Sequence, residues 1–182
     1  MRMPGYQGRV ALTMVLLLPL ACTQTAGTIS YHAPGYPDVQ ASAPGRAECR
    51  ATSSEQNAAA AARTNATRRA HGLPALRSDP RLARAAAAQA CDMARRGTMT
   101  HSGSHSSGPM QRAKAQGYAP RIAAENIAAG PYDLTGVLSV WAGSRGHVDN
   151  ILIPQLQDFG IGSAVGADGR TVFWSAVYAA PR

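Results

Sequence analysis

The chain changes its period once, and that change limits its fold more than any other feature. Leu134, Val137, Leu138 and Trp141 recur at i, i+3, i+4, i+7, the spacing of one apolar helix face. Beyond them the pattern becomes that of strands. Phe159-Gly-Ile-Gly-Ser-Ala-Val165 and Thr171-Val-Phe-Trp-Ser-Ala-Val-Tyr178 flank Gly166-Ala-Asp-Gly169, a hairpin signal that puts Val172, Trp174, Ala176 and Tyr178 on one face. Three more helices are expected upstream. Ser53 and Gln56 form a capping box for an alanine-rich helix ending near His71-Gly72. Asp79-Pro80 opens a second helix, with Leu82, Ala86, Ala90 and Met93 as its stripe and Gly97 as its stop. A shorter one follows Pro109 and ends at Gly117. Helices first and strands last read as an α+β domain.

The N-terminus reads as an address. Arg2 and Arg9 precede an apolar run from Val10 to Leu20, and Ala21 is a small residue at a cleavage position. This is the layout of a secretory signal over residues 1–21, too short to span a bilayer. Cys22 follows directly, and Leu20-Ala21-Cys22 resembles a bacterial lipobox, with Pro19 where leucine is usual. Acylation at Cys22 would anchor the chain in a membrane, since two acyl chains suffice for stable attachment. The alternative is an ordinary signal cleaved near Ala21. Export places the chain in an oxidising compartment. With Cys22 acylated, Cys49 and Cys91 remain, and we expect them to pair. Their loop of about 40 residues corresponds to about 3–4 kcal/mol in the chain-entropy model. The alternative is two unpaired thiols.

Residues 22–48 read as a flexible tether. Ala33-Pro-Gly-Tyr-Pro37 and Ala41-Ser-Ala-Pro-Gly45 interrupt both helix and strand. As a coil it would reach roughly 25–30 Å. The domain proper is expected over 49–182.

The net charge of +8 comes from 18 basic residues, only one of them a lysine, against 10 acids. The arginines are scattered over helix faces, with Arg68-Arg69 and Arg95-Arg96 as the adjacent pairs, and only 5% of the chain is aromatic. That argues against nucleic acid as a partner and for a solvated face or an anionic envelope surface. There is no P-loop, dinucleotide fingerprint, HExxH or GxSxG. The polar residues that stand out lie in segments read as loops: Thr100-His101-Ser102-Gly103, Glu125-Asn126-Ile127-Ala128 and Gly146-His147-Val-Asp-Asn150-Ile-Leu152. Two imidazoles and a carboxylate can hold Zn²⁺ with an open fourth position, or form a proton-transfer pair around a ligand.

The order of these pieces resembles the CAP superfamily, or SCP-like domain, of cysteine-rich secretory, antigen 5 and pathogenesis-related 1 proteins, in its short bacterial form. Asn65 to Leu76 resembles its first-helix motif, and Asp79-Pro-Arg-Leu82 with Ala90-Cys-Asp-Met-Ala94 its second. Thr100-His101-Ser102-Gly103 is similar to the SHxG loop, Glu125-Asn-Ile-Ala128 to ENIA, and Trp141 to Leu152 to a W..S.GH..NIL pattern. The resemblance implies an α-β-α sandwich with a cleft carrying two histidines, matched by His101 and His147, and an acid, matched by Glu125. A second acid of longer members has no counterpart, because Gly143-Ser144 fills a shorter connection. Gln89 stands where many bacterial relatives carry histidine. Asn126 and Asn150 are expected to satisfy buried backbone, Trp141, Trp174 and Tyr178 to pack, and Asp149, His105, His71 and His32 to stay outside the site.

The function expected is that of an extracytoplasmic binding module for a lipid-like or envelope ligand. One alternative is a metal-dependent, peptidase-like hydrolase in which His101, His147 and Glu125 hold Zn²⁺ or another divalent ion, with Glu125 as general base if only the imidazoles bind. The other is a structural envelope protein that catalyses nothing.

Overall fold

The computed structural model describes Met1, the backbone of residues 29–31 and all of residues 37–182. Most of the export segment, Cys22, His32 and the rest of residues 22–28 and 32–36 of the proposed tether lie outside the described residues. In chain order the elements are β1 (Ile29–Tyr31), β2 (Val39–Gln40), β3 (Glu48–Cys49), α1 (Ser54–Ala70), β4 (Arg77–Ser78), α2 (Pro80–Arg96), β5 (Thr98–Met99), α3 (Pro109–Ala115), β6 (Pro120–Gly130), α4 (Leu134–Ala142), α5 (Arg145–Ile151), β7 (Asp158–Val165) and β8 (Val172–Pro181).

The helix ends follow from their capping chemistry. Ser53 Oγ accepts from Gln56 N at 3.1 Å and starts α1. The Asp79 carboxylate accepts from Arg81 N at 2.8 Å and starts α2, with Pro80 at its first position. Gly97, at φ 66°, ends α2 in the left-handed region that glycine enters without steric cost.

The main sheet runs β1-β6-β8-β7-β3, with β4 added to β7. β6, β8 and β7 form an antiparallel centre, and β1 lies parallel to β6. Val172, Trp174, Ala176 and Tyr178 do share a face, and they pack with Val137, Leu138, Trp141 and Ile151 of α4 and α5 and Ala60 and Ala61 of α1. Phe173, Val177 and Ala179, on the other face, pack with residues of α2 and α3. Helices therefore cover both faces, giving the α-β-α layering of an α+β domain.

Two segments read as loops are regular. Glu125-Asn126-Ile127-Ala128 lies inside β6, the longest strand, and Gly146–Leu152 contributes most of α5. β6 is buried on both faces from Ile122 to Ala128, so it lacks polar alternation, and its alanines carry no strand signal. Arg68, read as part of a solvated face, is fully buried.

Residues 37–48, read as the end of the tether, lie against the domain. β2 pairs with β5, Ala41 N donates to Gly97 O at 2.8 Å, and Gly45 N donates to Arg95 O at 2.9 Å. Cys49 and Cys91 are joined by a disulfide that fixes β3 to α2. Among the described residues no helix is long and apolar enough to cross a membrane.

Candidate functional site

Glu125 sits midway along β6. Among the described residues β1 pairs with β6 as far as Tyr31 opposite Ala124, the neighbour of Glu125. The carboxylate has no exposed surface. A buried charge is tolerated only with close partners, and Glu125 has three. Oε1 accepts from Arg112 Nη2 at 2.6 Å and from Ser175 Oγ at 2.9 Å, and Oε2 meets His101 Nδ1 at 2.8 Å. Burial alone would raise its pKa. The Arg112 guanidinium and the His101 contact outweigh burial and hold the carboxyl below its ordinary range. An ionised carboxylate only accepts, so Nδ1 of His101 carries the proton toward it.

The His101 loop is fastened from several sides. Gln89 Nε2 donates to Thr100 O at 2.6 Å, Arg96 Nη2 to Ser102 O at 2.8 Å, and Arg112 Nη1 to His101 O at 3.1 Å. Gln89 thus acts as a support beneath the loop.

His147 comes from the opposite side of the strand, on α5. Asn126 Nδ2 donates to His147 O at 3.1 Å, and Asn150 Nδ2 donates to Glu125 O at 3.1 Å and to Asn126 Oδ1 at 2.9 Å. The two asparagines satisfy backbone carbonyls, as expected, and in doing so tie α5 to β6. Arg68 pins the far end of α5, with Nη1 donating to Ile151 O at 2.6 Å and Ile153 O at 3.0 Å. Burial pushes the pKa of His147 down; a backbone contact at Ile127 opposes this and the nearby His101 adds to it.

His101, Glu125 and His147 line one cavity of about 280 Å³, so the three residues do converge. Its other wall is largely apolar, with Met99, Ile127, Tyr132 and Val140, and Pro37 and Asp38 belong to its lining. Two larger hollows, of about 580 and 780 Å³, have no histidine in their lining. His71, His105 and Asp149 are exposed and stay outside the site.

The residues do not fit the three-ligand zinc site that the sequence suggested. Both Glu125 oxygens are engaged by protein donors. Among the described residues, no group of three or more His, Cys, Asp or Glu is placed to hold a metal ion.

Sequence reasoning missed Arg112 and Ser175. Arg112 shares the buried face of α3 with Pro109 and Ala113. A lone charge on an apolar helix face and a lone carboxylate in an apolar strand each require a partner, and together they were the available signal.

A three-layer α-β-α domain with a cleft of two histidines and one buried glutamate defines the class. The comparisons give the family: residues 61–178 match the model of CAP, the cysteine-rich secretory protein family, and the chain belongs to it. It is 34% identical over 99 residues to the protein YkwD of Bacillus subtilis, covering 54% of this chain and 38% of that protein. A solved extracellular protein containing a SCP domain from Bacillus anthracis is 26% identical, with a TM-score of 0.60 over 69% of this chain and 40% of its own. An outer surface protein of Borrelia burgdorferi, at 21% identity, shares the fold with a TM-score of 0.59 over 71% of this chain and 95% of its own. The chain thus spans about two fifths of the two Bacillus proteins.

Proposed function

We propose that this chain is an exported binding module, held at the cell envelope through an acylated Cys22, that takes a lipid-like ligand into the His101–Glu125–His147 cleft. The observation that carries this reading is the engagement of Glu125. A carboxylate that activates water, as base or as metal ligand, needs charge to give, and here a buried guanidinium and two further donors already hold Glu125, two donors on Oε1 and one on Oε2. What remains is a cavity with a polar end and an apolar wall, the composition of a small-molecule site. The extracellular and outer-surface descriptions of the Bacillus anthracis and Borrelia proteins support the export reading.

The test is solvent extraction of the purified full chain and mass spectrometry of what is released, followed by direct binding of the identified compound. A saturable ligand whose binding weakens at least tenfold in Val140→Asp is expected. No co-purifying compound and no saturable binding would remove the reading. Anchoring is tested separately: a fatty-acid probe should label the wild-type chain and not Cys22→Ala.

One observation favours a second, hydrolytic reading. An imidazole oriented by a buried carboxylate is the base-and-orienter half of a catalytic arrangement. Turnover of peptide or ester probes that disappears in His101→Ala would establish it.

A further inference from the structure

The partner of Glu125 and the fastening of the His101 loop meet in one side chain. Arg112 lies one turn into α3, 7% exposed, on the buried face of that short helix. Nη2 reaches Glu125 Oε1 at 2.6 Å; Nη1 reaches His101 O at 3.1 Å and Ser106 Oγ at 2.9 Å. One guanidinium therefore neutralises the carboxylate and holds both ends of the loop that carries His101. Its planar fork can address these acceptors at once.

This arrangement bears on what Glu125 can bind. A divalent cation at Oε1 would have to displace Arg112 or Ser175, and one at Oε2 would have to share that oxygen with His101. It would also lie beside a buried positive charge, where low dielectric magnifies repulsion. Opening the ion pair would leave the guanidinium buried and unpaired. We infer that Arg112 is the positioning residue of the cleft: a built-in counter-charge that fixes the His101 loop and keeps Glu125 from ligating a divalent metal. The inference concerns the wall of the cleft and stands whichever ligand occupies it.

The test is calorimetric titration of the full chain with Zn²⁺ alone, with near-ultraviolet circular dichroism as the check on folding. Zinc affinity of the wild-type chain is expected to be unchanged in Glu125→Gln. Arg112→Met is expected to bind Zn²⁺ at least tenfold more tightly, and the gain should vanish in Arg112→Met/Glu125→Gln. Arg112→Lys, which keeps the charge and loses the fork, should show no gain in Zn²⁺ affinity. A wild-type affinity that drops tenfold on Glu125→Gln would overturn the inference, as would a folded Arg112→Met with unchanged affinity. Should the variants fail to fold, anomalous scattering from zinc-soaked wild-type crystals decides. Glu125 still on Arg112, with or without zinc elsewhere, supports the inference; zinc bonded to Glu125 ends it.

Discussion

The two faces of the sheet are packed by different means. Against α2, the sheet presents Gly160 and Gly162, and the helix answers with a stripe of buried alanines. A Cβ at Gly160 would lie 2.1 Å from Ala83 N, and one at Gly162 would lie 2.2 Å from Ala87 N, so sheet and helix backbones nearly touch. The opposite face is filled by large rings: Trp141, Phe159, Trp174 and Tyr178. The first face is a close-packed frame, tied further by the Cys49–Cys91 disulfide; the second is filled by interlocking side chains. The cleft uses both. Adjacent residues of a strand point to opposite faces, so Glu125 engages His101 on the α2 and α3 side while Asn126 engages the backbone of His147 on the α5 side. Two neighbouring residues of β6 thus bring together histidines 46 positions apart in the chain.

Breaking the close-packed face should have the largest effect. Gly162→Val would drive a branched side chain into the α2 backbone, which cannot yield without separating the layers. We expect no soluble, protease-resistant domain, as judged by limited proteolysis of the expressed chain. The ring-filled face should lose less. Trp141→Ala removes a fully buried indole and its bond from Nε1 to Ile127 O, at a cost of about 3–5 kcal/mol. The urea midpoint should fall while the fold persists, because a cavity on this face can partly collapse.

The contrast also explains what the sequence could reveal. Caps, stripes and turns are local chemistry, so Ser53, Asp79-Pro80, Gly97 and the 166–169 hairpin were readable one by one. β6 was not, because a strand of small residues buried on both sides has no period. His101, Glu125 and His147 were readable as a set only through the family motifs. Their spacing did not reveal that Arg112 completes the cluster, since α3 supplies it from a turn that carries no motif. Residues 37–48 looked like linker because their docking uses backbone groups, which composition does not report.

Cutting the disulfide should sharpen the comparison at intermediate cost. The bridge spans 42 positions, and its loss in Cys91→Ser corresponds to about 3–4 kcal/mol in the chain-entropy model. The bridge lies on the frame and not in the cleft lining. Stability in urea should therefore drop while the affinity of a ligand bound in the cleft changes by less than twofold at temperatures where the domain stays folded.

The smallest expected effect separates the two histidine-bearing sides by pH. His147 has its folded-state pKa pushed below the ordinary value near 6.5, chiefly by burial. In acid the unfolded chain takes up a proton at this residue before the native state does. The unfolded state then binds more protons, so stability rises with pH and is lost as pH falls from 7 through 6.5 toward the lowered value. Glu125 has the same sign, but its window begins only below the ordinary glutamate range near 4.3, because Arg112 and His101 hold its carboxyl lower still. Measurements kept above pH 5 therefore leave the Glu125 window out. The melting temperature of the wild-type chain should fall between pH 7 and pH 5, and His147→Gln, which cannot be protonated there, should show a shallower fall. An equal slope in both proteins would mean that burial on the α5 face does not set the protonation of His147, and that the two sides of the cleft are less distinct than their packing indicates.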